Sequence, residues 1–222
     1  MNFKHIAAAI STLLLAASAG ATTVSSGDVA DDWFSANANY TAFTLSGNPG
    51  DVYLRTFGIG GLNRSALEFS LSNIAPNSLI QSAVFTVQSR GTAVAGANFN
   101  FYGYNGDGAI TVEDATRTGT LLASTAIGAG TPTYDIDATA LIQSLVDANA
   151  AYAGFLITVS VQNSFIGNDL CSREMSPGLA CAPKLTVNYS ERAAAVPEPG
   201  SLALFGAAIA GLAAVRRRKS AK

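Results

Sequence analysis

The stretch Asn63–Val87, "NRSALEFSLSNIAPNSLIQSAVFTV", carries the pattern that decides the fold. Leu67, Phe69 and Leu71 alternate with Glu68 and Ser70, which should point outward, and Phe85 and Val87 repeat the alternation further on. Side chains that alternate with a period of two belong on opposite faces of a strand. The intervening "SNIAPNS" supplies Pro and Asn, which suit a tight turn and break a strand. Two half-buried strands joined by a turn are therefore expected.

The same period recurs along the chain. Thr41, Phe43 and Leu45 share a face in "YTAFTLS", and Phe99 and Phe101 do so in "NFNFYGY". Phe155, Ile157, Val159 and Val161 follow in "GFLITVSV", then Leu185, Val187 and Tyr189 in "KLTVNYS". Only two stretches read as helix. "TVEDATR" suits one or two turns, with Thr111 as N-cap and Asp114 three residues on. "DATALIQSLVDANA" puts Leu141, Ile142, Leu145 and Val146 on one stripe behind Asp137 as N-cap. Many short strands between turn residues predict an all-β, antiparallel two-sheet β-sandwich with one or two short helices.

The ends differ in kind from this middle. "MNFKHIAAAISTLLLAASAGATT" has Lys4, an apolar run Ile6–Ala17, and small residues at Ala19 and Ala21. That order predicts a signal peptide over 1–21, a helix in the membrane, cleaved before Thr22; a retained membrane helix is the alternative. Near the other end, Leu202–Val215 is uncharged. Fourteen residues make a helix of about 21 Å, short of a bilayer core of about 30 Å. Arg216, Arg217, Arg218, Lys219 and Lys222 would hold its end on the cytoplasmic side. A short span suits transient inner-membrane insertion, and a permanent single-span anchor is the alternative.

Pro197-Glu198-Pro199, the short apolar helix and the terminal basic cluster together resemble a PEP-CTERM sorting tail. The resemblance implies an exporting Gram-negative cell, an exosortase-type processing enzyme as partner, and release to the cell surface or an exopolysaccharide matrix. It divides the chain into a signal peptide (1–21), a domain (22–190), a linker with the Pro-Glu-Pro motif (191–200) and a C-terminal hydrophobic helix with a basic tail (201–222).

Between Thr22 and Val196 lie seven basic and fourteen acidic residues, a net charge near −7, although the whole chain carries −2. Such a charge disfavours nucleic acid and anionic lipid as partners. The only histidine, His5, lies in the signal segment. The domain thus lacks Ser-His, Cys-His and His-ligated metal chemistry, and a non-catalytic role is expected. A carboxylate-dependent hydrolase or a tyrosine-dependent lyase stays open.

Asn63–Val87, followed by "IDATALIQSL", "GFLITV", "SRE" at Ser172–Glu174 and "APKLTVNYS", resembles the DNRLRE-type domains related to carbohydrate-binding modules. Ser70 departs from that pattern, which usually has Asp there, and "YNGDGAITVEDA" is an insert. The resemblance implies a jelly-roll β-sandwich and an extracellular polysaccharide as partner.

Five residues are candidates for ligand contact. Opposite Phe99 and Phe101, Asn98, Asn100, Tyr102 and Tyr104 should share an outer face able to hydrogen-bond and stack on sugars; cross-strand pairing or cover by a loop is the alternative. Trp33 is a second stacking candidate, with core packing as its alternative. Asn105, Asp107 and Asp114 fall at EF-hand-like loop positions 3, 5 and 12, but Gly103 at position 1 offers no side-chain oxygen. A capped turn is the favoured reading and calcium the lesser one, so no cofactor is expected. Asp135 and Asp137 lie two apart, as a glycosidase pair could, although Asp137 already serves as a helix cap. Cys171 and Cys181, in an oxidising compartment, should form a disulfide worth about 2.5–3 kcal/mol, with two buried thiols as the alternative. Arg173 and Glu174, between them, fit an ion pair that pins the loop.

Overall fold

The computed structural model describes residues 21–37, 42–45, 63–91, 96–161, 166–174 and 181–192, and the backbone of 53–57. The signal segment with Ala19, and the sorting tail with Pro197, Glu198, Pro199 and Arg216–Arg218, lie outside the described residues. Gly20–Glu191 forms one compact unit.

Twelve strands are described: β1 (Thr22–Gly27), β2 (Ala30–Ala36), β3 (Phe43–Leu45), β4 (Tyr53–Phe57), β5 (Asn63–Ser70), β6 (Ser78–Gln88), β7 (Asn98–Gly106), β8 (Thr120–Ala126), β9 (Thr133–Asp137), β10 (Tyr152–Val159), β11 (Gly167–Cys171) and β12 (Lys184–Glu191). One sheet has the order β1-β12-β6-β9, a second β3-β2-β5-β10-β7-β8, and β11 pairs with β4. Every pairing is antiparallel.

The two large sheets pack face to face. Leu67, Phe69, Phe99, Phe101, Phe155 and Ile157 of the six-stranded sheet meet Phe85, Val87, Ile136, Leu185 and Val187 of the four-stranded one. Phe85 stacks on Phe155 with centroids 4.3 Å apart, while Phe69 meets both rings edge-on at 5.7 and 5.6 Å. Such pairs add about 0.5–1.5 kcal/mol each beyond the area they bury. Apart from Ile136 of β9, these are residues that the period-two reading assigned to the core. Leu45 is the exception: it is 41% exposed, on the three-residue β3 at the edge of its sheet.

Helix α1 (Thr139–Asp147) buries Leu141, Ile142, Leu145 and Val146. Its N-cap position is Ala138, but the Asp137 carboxylate does the capping, accepting from the Thr139 backbone (2.9 Å) and hydroxyl (2.6 Å). The helix also completes the edge of β6 that β9 leaves free. The backbone N–H of Ile80 donates to Gln143 Oε1 (2.8 Å), and that of Ala83 to Thr139 Oγ1 (3.0 Å). A buried strand edge without such acceptors would leave amides unsatisfied.

The outer face of the six-stranded sheet is not simply solvent-exposed. A second apolar cluster of Phe34, Phe43, Ala66, Tyr104, Ala115 and Leu156 covers part of it. Its lid is a single 3-10 turn, Val112–Thr116, entered through the backbone N–H of Thr111 donating to Asp114 Oδ2 (2.7 Å). Arg64 ties this lid down, donating to the Ala115 carbonyl and lying over the Phe43 ring at 4.7 Å. Tyr104 fits beneath because its neighbour on β10 is Gly154; a Cβ there would come within 2.2 Å of the ring. Gly154→Ala should therefore destabilise the domain by about 1–3 kcal/mol through overpacking. Thermal or urea unfolding of the secreted protein checks this; a change under about 0.5 kcal/mol, as at ordinary surface sites, contradicts it.

Candidate functional site

The outer face expected on β7 divides into an open and a closed part. Asn98 and Asn100 are half-buried, and the exposed Ser124 of β8 bridges them. Asn98 Nδ2 donates to Ser124 Oγ (3.1 Å), whose hydroxyl donates to Asn100 Oδ1 (2.8 Å). Tyr102, also half-buried, continues this side of the strand and packs against the second apolar cluster. Tyr104 departs from the expectation of an exposed stacking ring. It is only 7% exposed, closed off by the lid and by the Arg117 guanidinium 5.3 Å from its ring centroid. Burial, and then the nearby charges of Asp114 and Glu68, push its hydroxyl pKa far up, so it stays protonated.

Trp33 does not join this face. It pairs with Ser65, which shares the inward side of β5 with Leu67, while the adjacent Phe34 points to the outer cluster. Partners in an antiparallel pair share a face, so Trp33 and Tyr102 lie on opposite sides of the sheet.

Arg117 gathers the three groups considered as calcium ligands. It donates to the Asn105 carbonyl (3.0 Å) and pairs with Asp114 Oδ1 (2.7 Å) and Asp107 Oδ2 (3.5 Å). The positive charge that holds this loop is thus a guanidinium from the chain itself. The loop also leans on Glu68, expected to face solvent but fully buried. Its Oε2 accepts from the backbone N–H groups of Asp107 (3.0 Å) and Gly108 (2.5 Å). Burial raises its pKa, and the charges of Asp107 and Asp114 raise it further.

Asp135 and Asp137 are both exposed and both engaged. Thr86 Oγ1 donates to Asp135 Oδ1 (2.6 Å), and Asp137 caps α1. The Thr139 donors hold the Asp137 pKa below its ordinary value.

Cys171 and Cys181 are joined in a disulfide, with Cα atoms 5.9 Å apart. Beside it, residues 173–174 are clasped to the start of β2. The Arg173 backbone N–H donates to Asp31 Oδ2 (2.9 Å), and its guanidinium donates to the Val29 carbonyl and pairs with Glu174 (2.5 Å) and Asp31 (3.7 Å). Asp28 completes the group. No donor among the described residues reaches either of its buried carboxyl oxygens, and Asp31 is its charged neighbour. Burial and a neighbouring carboxylate both disfavour ionisation. Burial and then Asp31 raise Asp28 to about 8, and burial raises Asp31 to about 6. Nothing in the spacing of Asp28, Asp31 and Glu174 reveals this cluster, because the fold brings it together from distant parts of the chain, through the bonds of Arg173 to Val29 and Asp31.

Residues 195–219 match the model of the PEP-CTERM protein-sorting motif. That motif marks the chain for export, for processing by an exosortase in the membrane, and for the surface or exterior of a Gram-negative cell. No curated protein matches the chain.

The clasp sets a pH dependence. Asp28 and Asp31 titrate above their unfolded pKa of 3.8, so the folded state holds protons that the unfolded chain releases. Stability present below pH 4 should fall as pH rises through about 6 and about 8. Glu174, held low by Arg173, and Asp137 act in the opposite sense, in a window below their ordinary values of 4.5 and 3.8. After allowance for partial solvent screening the loss is on the order of 1–2 kcal/mol, a drop in Tm of about 2–8 °C. Melting curves across this range should show that slope, and Asp28→Asn should flatten it. A slope unchanged in Asp28→Asn would assign the effect to other groups.

Proposed function

We propose that this chain is an exported, non-catalytic surface or matrix protein whose domain binds neutral polysaccharide weakly along the open part of its six-stranded sheet. The observation that carries this is the uncharged row Asn98–Ser124–Asn100 beside the half-buried ring of Tyr102, in a chain with a surface-sorting motif. Amides and a hydroxyl can exchange their mutual hydrogen bonds for those of a sugar, and the tyrosine ring offers an apolar platform. A jelly-roll order of the two sheets, as in carbohydrate-binding modules, belongs to the same reading. No cofactor is required: Arg117 takes the place a calcium ion would have in the Asn105–Asp114 loop.

Each hydrogen bond contributes about 0.5–1.5 kcal/mol net, so single contacts should be of micromolar to millimolar strength and retention should rely on repeats along the polymer. Asn100→Ala combined with Tyr102→Ala should abolish retention of the secreted protein on a neutral polysaccharide gel while it remains folded by circular dichroism. Retention unchanged in the folded double variant would refute the site. Failure of the unmodified protein to bind any polysaccharide would leave a structural matrix role without a ligand.

Processing belongs to the same proposal. The signal peptide is removed after Ala21, directly before β1 begins at Thr22, and the C-terminal helix is removed after membrane insertion. Intact-mass measurement of the surface form should show a chain beginning at Thr22 and lacking Leu202–Lys222. A mass that retains Arg216–Arg218 would establish a permanent anchor instead.

A further inference from the structure

A cleft of about 320 Å³ opens at one end of the domain, where β5 leaves the sheet and β10 enters it. Two turns form its walls. In the first, Ile74 N–H donates to the Leu71 carbonyl (2.9 Å), and Tyr189 Oη holds the turn through the Asn73 carbonyl (3.1 Å). In the second, helix α1 ends with Asn149 N–H donating to the Val146 carbonyl (3.1 Å) and Ala150 N–H to the Leu145 carbonyl (2.9 Å). Asn149 adopts φ +54°, the left-handed conformation that closes many helices. Leu71 N–H donates to the Ala151 carbonyl (2.9 Å) and ties the two turns together.

The chemistry of the walls is mixed in a specific way. Leu71, Ile74 and Val146 supply apolar surface, while Ser72, Asn149 and Tyr152 supply uncharged polar groups. The side chain of Asn149 and the hydroxyl of Tyr152 have no hydrogen-bond partner among the described residues, and no acidic or basic side chain lines the cleft. The Tyr152 ring is held in place: a Cβ on Gly108 would lie 2.7 Å from its Cζ, so only glycine permits the 107–109 turn to pack there. An apolar floor with a few convergent, unengaged polar groups is the general form of a small-ligand site.

We propose that this cleft binds the terminal residue of a neutral glycan. An anion or cation would find no counter-charge in it, and a purely apolar ligand would make no use of the exposed Asn149 amide or the half-buried Tyr152 phenol at its rim. A neutral sugar has an apolar face for Leu71 and Ile74 and hydroxyls for Asn149 and Tyr152. The cleft volume of about 320 Å³ accommodates one sugar ring. The cleft shares with the proposed function only the premise of a glycan-rich exterior.

The test uses the secreted protein, labelled with ¹⁵N, titrated with D-glucose, D-galactose, cellobiose and, as a charged control, D-glucuronate. At least one neutral sugar should shift the amide resonances of residues 70–76 and 149–152, and glucuronate should not. Two variants keep the scaffold. Asn149→Gly retains the left-handed turn, which glycine adopts readily, and Tyr152→Phe retains the ring on Gly108. Each should weaken the titration about three- to tenfold, as expected for one lost hydrogen bond. The inference is overturned if no neutral sugar shifts these resonances well above millimolar concentration, if glucuronate shifts them as strongly, or if both variants titrate unchanged. If the shifts appear here while Asn100→Ala with Tyr102→Ala still binds the polysaccharide gel, the sheet-face site fails and the cleft stands.

Discussion

Phe85 of the four-stranded sheet and Phe155 of the six-stranded sheet lie ring on ring, 4.3 Å between centroids, and this stack sets how closely the sheets approach. Around it, Phe69 and Phe101 meet Phe85 at steep angles, and Tyr134 carries the ring contacts on to the end of β9 through Phe99. An aromatic layer of this kind is close-packed and tolerates little displacement. Everything that reaches solvent is therefore built on a rigid base: the clasp at the disulfide, the lid over Tyr104, and the cleft between the two turns.

That base forces the polar chemistry onto the outside of the six-stranded sheet, where it is handled in two ways. At one end, Glu68, Tyr104 and Asp114 are buried at the lid, and Arg117, paired with Asp114, supplies the positive charge that makes so acidic a patch tenable. Removing one partner from such a network leaves an uncompensated buried charge, which costs more than the pair itself contributes. At the other end, the uncharged side chains of Asn98, Asn100 and Ser124 hydrogen-bond to one another. The contrast gives the face its polarity: a structural, charged half and an open, neutral half.

The strands that alternate cleanly, such as Leu67–Phe69 in β5 and Phe99–Phe101 in β7, were legible in the sequence because one face of each meets the aromatic layer. Others were not. β8, "TLLASTA", is an edge strand whose register against β7 shifts at Phe101/Tyr102, which erases its period. β2, "ADDWFSA", presents Phe34 to the outer cluster and Trp33 to the other side, so both faces read as apolar at once. The burial of Glu68 and Tyr104 was illegible for a different reason. Alternation assigns a side of the sheet, whereas cover depends on a turn that arrives from elsewhere in the chain. A signal did exist in Gly154, since a glycine inside an otherwise apolar strand marks the close approach of a neighbouring side chain. The disulfide was legible from the spacing and compartment of its cysteines, but the Asp28–Asp31–Arg173 clasp beside it was not.

We propose that the two-sheet framework exposes neutral polar surface for a neutral glycan, while the charged groups of the lid and the clasp serve the fold. Amide hydrogen exchange of the secreted protein, with and without a neutral polysaccharide, tests this most directly. The account predicts added protection confined to segments 98–102, 122–126, 70–76 and 149–152, with the core strands β6, β9 and β12 of the other sheet unchanged. Added protection centred on the charged lid at 105–117 or the clasp at 28–31 and 173–174, with none in the neutral segments, would contradict it.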